Sequence, residues 1–309
     1  MTKSIRHQFA NTMVEVGQED QNLVVLVGDI SHGILQPFAG ACPGRYFNIG
    51  ICEPTIVSMA AGLSSIGFHP VVHTIAPFLI ERSFEQLKLD FSYQGISGNI
   101  VTVGGTFDYS NLGCTHHCYG DISLLKTLPN IQILYPGSCL EFDTLFKQAY
   151  ANDQLSVFRI PGTSHDYLFD DTITLGQGIK IKNGSDLTLV TTSSHLKNAL
   201  TASTQLQSFG WDIEIIYIHT IRPLDTEILI ESAQKTNRVL VVEEHMISGG
   251  LGDEVIRTIC NLPHVTTSVL GIPDRFIREY GSYENLCEKV GISVAGIVKQ
   301  VKKFFSKHP

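Results

Sequence analysis

The sequence predicts an α/β protein of two doubly wound domains, and three observations carry that prediction. Short apolar runs alternate with longer stretches of helical spacing along nearly the whole chain, the pattern of a parallel sheet whose crossovers are helices. The alternation halts once, over residues 161–185, where glycines, aspartates and short polar runs gather, and then restarts, as at a domain connection. With 309 residues and 43% hydrophobic content, the chain is long enough to bury two ordinary cores.

In order, the first domain (1–165) opens its sheet with a strand at 23–27 that ends on Gly28 and Asp29. A helix over 56–66 follows Pro54, a residue favoured at the first helical position. Its small apolar run, Met59 to Leu63, predicts burial on every side. A strand at 70–75, helical spacing over 78–91, strands at 99–103 and 131–135, a helix at 139–150 and a strand at 156–160 complete the domain. After a linker (166–184), the second domain (185–309) repeats the scheme. Its strands are expected at 187–191, 213–218, 239–242 and 266–270, and its helices at 194–209, 225–234, 251–260, 283–290 and 294–305.

A formal net charge of -8 argues against a nucleic-acid or anionic-membrane partner, which would require a basic patch. The LysLys pair at 302–303 reads as a solvated last turn. No apolar run is long enough to span a bilayer and the first residues lack a signal-peptide core, so the expected location is cytoplasmic. Seven scattered cysteines fit reduced thiols. Cys114, His116, His117 and Cys118 resemble a metal site in composition, but four ligands within five residues cannot easily surround one tetrahedral ion, so no metal is expected on this chain.

Glu53 is the carboxylate of greatest interest. It stands where an apolar segment hands over to the helix behind Pro54, a place that presents side chains to ligands. A lone Glu there would simply meet the helix dipole. Beside a buried helix it would be partly desolvated, with a raised pKa unless a partner compensates.

Six segments in order, FNIGICEPTIVSMAAGLSSIGFHPVV, APFLIERSFEQL, GCTHHCYGDISLLKTLPNIQILYP, TIRPLD, VVEEHMISGGLGDEV and GIPDRF, resemble the C-terminal half of a transketolase, and in particular the freestanding C-terminal subunit of a split transketolase. The first three resemble its pyrimidine-binding domain and the others its C-terminal domain. The resemblance implies thiamine diphosphate as cofactor and transfer of a two-carbon ketol unit from a ketose to an aldose. It implies that Glu53 hydrogen-bonds a ring nitrogen of the aminopyrimidine and favours the tautomer that deprotonates the thiazolium carbon. Phe78 would stack on that ring, with Ile75 standing where many transketolases place a second aromatic. His116 matches a histidine that contacts substrate oxygens, with His117 ranked second. Arg6, Asp29, Ser31 and Arg159 match segments that reach toward substrate or its phosphate, although an ordinary turn explains Asp29 and Ser31 equally well. Three residues beyond Arg159, where many relatives carry a basic side chain, the chain has Gly162, which points away from an ordinary sugar phosphate acceptor.

The family's diphosphate and metal anchor, a Gly-Asp-Gly followed by an asparagine, lies in the other half; Gly28-Asp29-Ile30, Gly120-Asp121-Ile122 and Gly252-Asp253-Glu254 do not fit it. The resemblance therefore implies an N-terminal partner subunit holding the diphosphate with Mg2+ or Ca2+, self-association through the α/β domains, a heterotetramer, and weak cofactor binding by this chain alone. Other expectations from the same resemblance are the beta subunit of a 2-oxo acid dehydrogenase, a deoxyxylulose phosphate synthase type, or a non-catalytic homologue that assembles a complex.

Overall fold

The computed structural model describes residues 4–169 and 172–307. The first domain runs α1 (Ile5–Glu19), β1 (Leu23–Val27), α2 (His32–Ala41), β2 (Tyr46–Asn48), α3 (Glu53–Ser65), β3 (His69–Ile75), α4 (Phe84–Gln86), β4 (Gly98–Val103), α5 (Asp121–Leu125), β5 (Ile131–Leu134), α6 (Cys139–Ala149) and β6 (Leu155–Ile160). The second continues with β7 (Ile179–Lys182), β8 (Leu187–Thr191), α7 (His195–Gln207), β9 (Ile213–Tyr217), β10 (Thr220–Arg222), α8 (Thr226–Thr236), β11 (Arg238–Met246), α9 (Leu251–Ile259), β12 (Thr266–Ile272), α10 (Tyr283–Val290) and α11 (Val294–Lys307). Local chemistry sets several boundaries: Ser4, Ser138, Asp225 and Ser282 each accept a backbone N–H in the first turn of the helix they precede.

The first sheet has the order β10-β5-β6-β4-β3-β1-β2 and the second β12-β11-β8-β9-β7, so the two-domain α/β reading of the sequence holds. The β1 to β6 strands pair in parallel. One face of this sheet carries Phe9, Phe38, Phe142, Phe146 and Phe158 under α1, α2 and α6, and the other carries Ile56, Leu79, Leu87 and Phe91 under α3 and its neighbours. Because β1 lies between β2 and β3, the α2 and α3 crossovers leave it on opposite faces. That reversal opens a crevice at the carboxyl ends of β1 and β3, the usual ligand position in such sheets.

Four local expectations change. The apolar run after β9 does not stay in its own sheet: β10 crosses to pair antiparallel with β5, and Ile221 joins the first domain's core. Inside the segment expected as a linker, β7 forms an antiparallel edge on β9, because Ile179 finds a buried place there. The helix expected over 78–91 is interrupted: wide π turns at Pro77–Glu81 and Leu87–Ser92 flank α4, and Ser83 leaves helical geometry while its Oγ donates to the Phe78 carbonyl. Finally, α3 is buried on one side only. Ile56, Val57, Ala60 and Ala61 pack on the sheet while Met59 is exposed; small apolar residues on its outer side concealed the stripe.

Candidate active site

Glu53 begins α3 at the end of the loop from β2, one residue after Cys52 and before Pro54. Its side chain is 1% exposed, so the anion needs a partner, and Arg82 supplies it: Nη1 donates to Glu53 Oε2 at 2.7 Å. The same guanidinium lies 4.3 Å from the centre of the Phe78 ring, a cation–π contact. Phe78 and Arg82 are four residues apart across the first π turn, which puts both on one side of it.

His116 comes to this group from the loop between β4 and α5. Thr106 and Cys118 pinch that loop with two backbone hydrogen bonds, and Gly113–Thr115 form a 3-10 turn that ends on His116. Its ring meets Phe78 edge-on at 5.2 Å and Tyr109 at 6.0 Å, while Nδ1 bonds Thr115 Oγ1 at 2.9 Å. Tyr109 crosses Gly104, where a Cβ would collide with its ring, and Ile75 borders the same spot. Glu53, Arg82, Phe78, His116, Tyr109 and Ile75 are thus contiguous at the carboxyl edge of β3 and β4. His117 diverges from its neighbour: it is buried against Phe107 at 5.1 Å, and burial lowers its pKa.

Arg6, Ser31 and His73 form a relay beside this group. Arg6 Nη2 donates to Ser31 Oγ at 2.6 Å, and Ser31 Oγ bonds His73 Nε2 at 2.8 Å. On the other side of the imidazole, Nδ1 bonds the Val101 carbonyl at 2.9 Å. The carbonyl can only accept, so Nδ1 carries the proton and Nε2 accepts from the serine. Burial, against the pull of the Val101 carbonyl and with the charge of Arg6, takes the His73 pKa down to about 4. Asp29 sits in a left-handed turn held to Asn48 by two hydrogen bonds and is exposed. Burial raises the Tyr109 phenol above its usual range while Arg6 pulls it down, which ties the relay to the His116 loop.

Arg159 departs from the expectation that it meets a phosphate. It is buried between the domains, with Nε on Asp121 Oδ2 at 2.7 Å, Nη2 on Thr106 Oγ1 at 2.6 Å and its guanidinium over Tyr135. Burial would drive its pKa down, but Asp121, Tyr135 and Glu244 push it up. Glu244 faces His195 at 2.9 Å and accepts from Tyr135; burial alone would raise its carboxyl, but His195, Tyr135 and Arg159 hold it at about 2. Near Gly162, a Cβ would lie 2.9 Å from the Asp108 carboxyl, which burial and the charge of Glu244 raise to about 7. A weak acid, rather than a cation, fills that space.

Among the described residues no group of three or more His, Cys, Asp or Glu is placed to hold a metal ion, and no helix is long and apolar enough to cross a membrane. Sequence reasoning missed Arg82, Tyr109 and His73. The four-residue spacing from Phe78 could have singled out Arg82, and the two-residue spacing that puts His73 on the same face of β3 as Ile75 was also readable; Tyr109 had no signal.

Comparison with known proteins places these residues in context. The family model "Transketolase, pyrimidine binding domain" matches residues 2–164 and "Transketolase, C-terminal domain" matches 176–297. One of the two subunits of the apulose-4-phosphate transketolase of Phocaeicola vulgatus is 29% identical, over 98% of this chain and 97% of that protein. A 6-deoxy-6-sulfo-D-fructose transketolase subunit of a Clostridium species is 27% identical, over 96% and 92%. The 1-deoxy-D-xylulose-5-phosphate synthase of Pelotomaculum thermopropionicum is 30% identical over 97% of this chain, which spans only 48% of it. A solved structure described as a split gene transketolase, inactive beta4 tetramer, superposes with a TM-score of 0.87 at 29% identity, covering 98% of both chains. With both domain models matched in order along a fold of two α/β domains, the chain belongs to the transketolase family and carries its pyrimidine-binding and C-terminal domains.

Proposed function

We propose that the chain is the C-terminal subunit of a two-chain, thiamine diphosphate-dependent transketolase, in which Glu53, Phe78 and His116 form this chain's share of the site. The observation that carries the reading is the position of Glu53: a buried carboxylate at the start of α3, sharing one guanidinium with Phe78. A carboxylate beside an aromatic face fits the aminopyrimidine end of the cofactor. The other end does not fit this chain, which lacks the Gly-Asp-Gly and asparagine motif and, among the described residues, has no metal-holding group. A second chain is the proposed source of the diphosphate and metal anchor.

When bound, the cofactor supplies a carbon nucleophile and an electron sink for cleaving a ketose. Glu53 shares a proton with the aminopyrimidine ring nitrogen. Phe78 fixes the plane of that ring and Ile75 closes its aliphatic edge. His116, held through Nδ1 by Thr115, offers Nε2 to substrate oxygens on which charge develops. Ser31, oriented by His73 and Arg6, is placed for sugar hydroxyls at the mouth of the crevice, with Asp29 outside it and His117 serving as packing beneath. Only Arg6 remains as a cation for a phosphate, so the acceptor is proposed to be a sugar without an obligatory phosphate contact to Arg159.

Exposed apolar side chains near Glu53, including Ile51, Met59, Ile66, Leu89 and Tyr93, support a covered interface there, both for the partner subunit and for self-association. The relatives named as split transketolase subunits match end to end, whereas the synthases match over about half their length; this favours ketol transfer over synthase chemistry. The test is Glu53→Gln in the complex reconstituted with its partner chain. Unchanged assembly with turnover lost is the expected result, and unchanged ketol transfer would remove the mechanism.

A further inference from the structure

Arg82 takes no part in the chemistry proposed above, yet it makes two contacts at the centre of the site. A carboxylate as buried as Glu53 is costly to leave unpaired, and the guanidinium of Arg82 answers that need at 2.7 Å. The same planar group lies 4.3 Å over Phe78. It is therefore a flat, delocalised cation with N–H groups at its edge, placed over an aromatic ring and hydrogen-bonded to a carboxylate. An aminopyrimidine carrying a proton on its ring nitrogen would present a flat face to Phe78 and an N–H to Glu53 in the same way.

We propose that Arg82 is a resident stand-in for the aminopyrimidine: its guanidinium occupies the Glu53 and Phe78 contacts in the free chain and leaves them when the cofactor seats. The inference rests on the cofactor reading given above and adds the residue which that reading leaves without a role. The exit path is on the molecule. Arg82 is 47% exposed, stands at the end of the π turn Pro77–Glu81, and is followed by Ser83 with φ -102 and ψ 17 outside helical geometry. Its stem can turn into solvent without unpacking Leu79 or Ile80, which face the core. A half-exposed ion pair contributes little net, so the exchange is near balance and the guanidinium protects the carboxylate without locking the site.

Removing the guanidinium raises the free energy of the free chain, where Glu53 loses its partner, but not that of the loaded chain. Arg82→Met should therefore bind cofactor more tightly, by roughly three- to tenfold for a half-exposed pair plus a cation–π contact. It should also lower the melting temperature of the cofactor-free complex while leaving that of the loaded complex nearly unchanged. Arg82→Lys keeps the charge without the plane and should fall between the two, and it serves if the methionine variant folds poorly. The experiment titrates thiamine diphosphate with magnesium, by calorimetry and by thermal melting, into the cofactor-stripped complex of this chain with its native partner. Tighter binding with a larger cofactor-induced melting shift supports the inference. Equal or weaker binding in Arg82→Met, with melting lowered alike in both states, overturns it and makes Arg82 a structural support or a direct cofactor contact. A wild-type complex that takes up no thiamine diphosphate would overturn the cofactor reading itself, and this inference with it.

Discussion

Two arginines of the first domain contrast sharply. Arg159 lies in the seam between the domains, 3% exposed, with Asp121, Thr106 and Tyr135 around it and the Glu244 carbonyl within 3.3 Å. Arg82 lies at the crevice edge, 47% exposed, holding one carboxylate oxygen and one ring face. The first is enclosed in a dense network whose members it cannot leave without stranding buried charge. The second can be replaced by a ligand that makes the same two contacts. Charge alone does not identify a binding group; exposure and the number of fixed partners do.

The comparison can be broken or sharpened by substitution. Glu53→Gln should have the largest effect, lowering turnover of the reconstituted complex by about 10²- to 10⁴-fold, the usual worth of a positioned acid–base group, while assembly by native mass spectrometry stays intact. Arg159→Met should instead act on folding, costing about 3–5 kcal/mol by stranding Asp121 and Glu244, read from the urea midpoint. If Arg159→Met leaves stability intact and weakens only substrate binding, the contrast between the two arginines fails.

The relay tests the boundary between the two regions through pH. His73 has its pKa lowered from 6.5 to about 4 in the folded chain, so below pH 6.5 the unfolded state binds the extra proton. Stability should therefore fall as pH drops through the window from 6.5 to about 4, by roughly 2 kcal/mol between pH 7 and pH 5. Urea unfolding at the two pH values measures this, and His73→Gln should remove most of the difference. The smallest effect belongs to Phe78→Leu, which keeps apolar volume but loses aromatic stacking worth about 0.5–1.5 kcal/mol. Cofactor affinity measured by calorimetry should weaken by about threefold to tenfold, with little change in melting.

Much of the fold was legible because local signals agreed with one another. Helix caps such as Ser138 and Asp225, Pro54 at the start of α3 and continuous buried strands such as β1 and β4 are written in adjacent residues. The crossing of β10 was not, because the apolar run from β9 to Ile221 reads as one strand while its two ends are buried in different sheets. At the site, Glu53, Phe78 and His116 were found through motif order, and the structure brings them together. Arg159 was misjudged because a sequence displays a charge but not the carboxylates that fold against it, and Arg82 went unnoticed because its role lies in the spacing across an irregular turn.

The central claim is that this chain holds only the aminopyrimidine end of a cofactor site completed by another polypeptide. Calorimetric titration of thiamine diphosphate with magnesium into the purified chain, and into the complex recovered with its native partner, tests it most directly. The account predicts weak or undetectable binding to the chain alone and tight binding to the complex. Equally tight binding by the chain alone would contradict it.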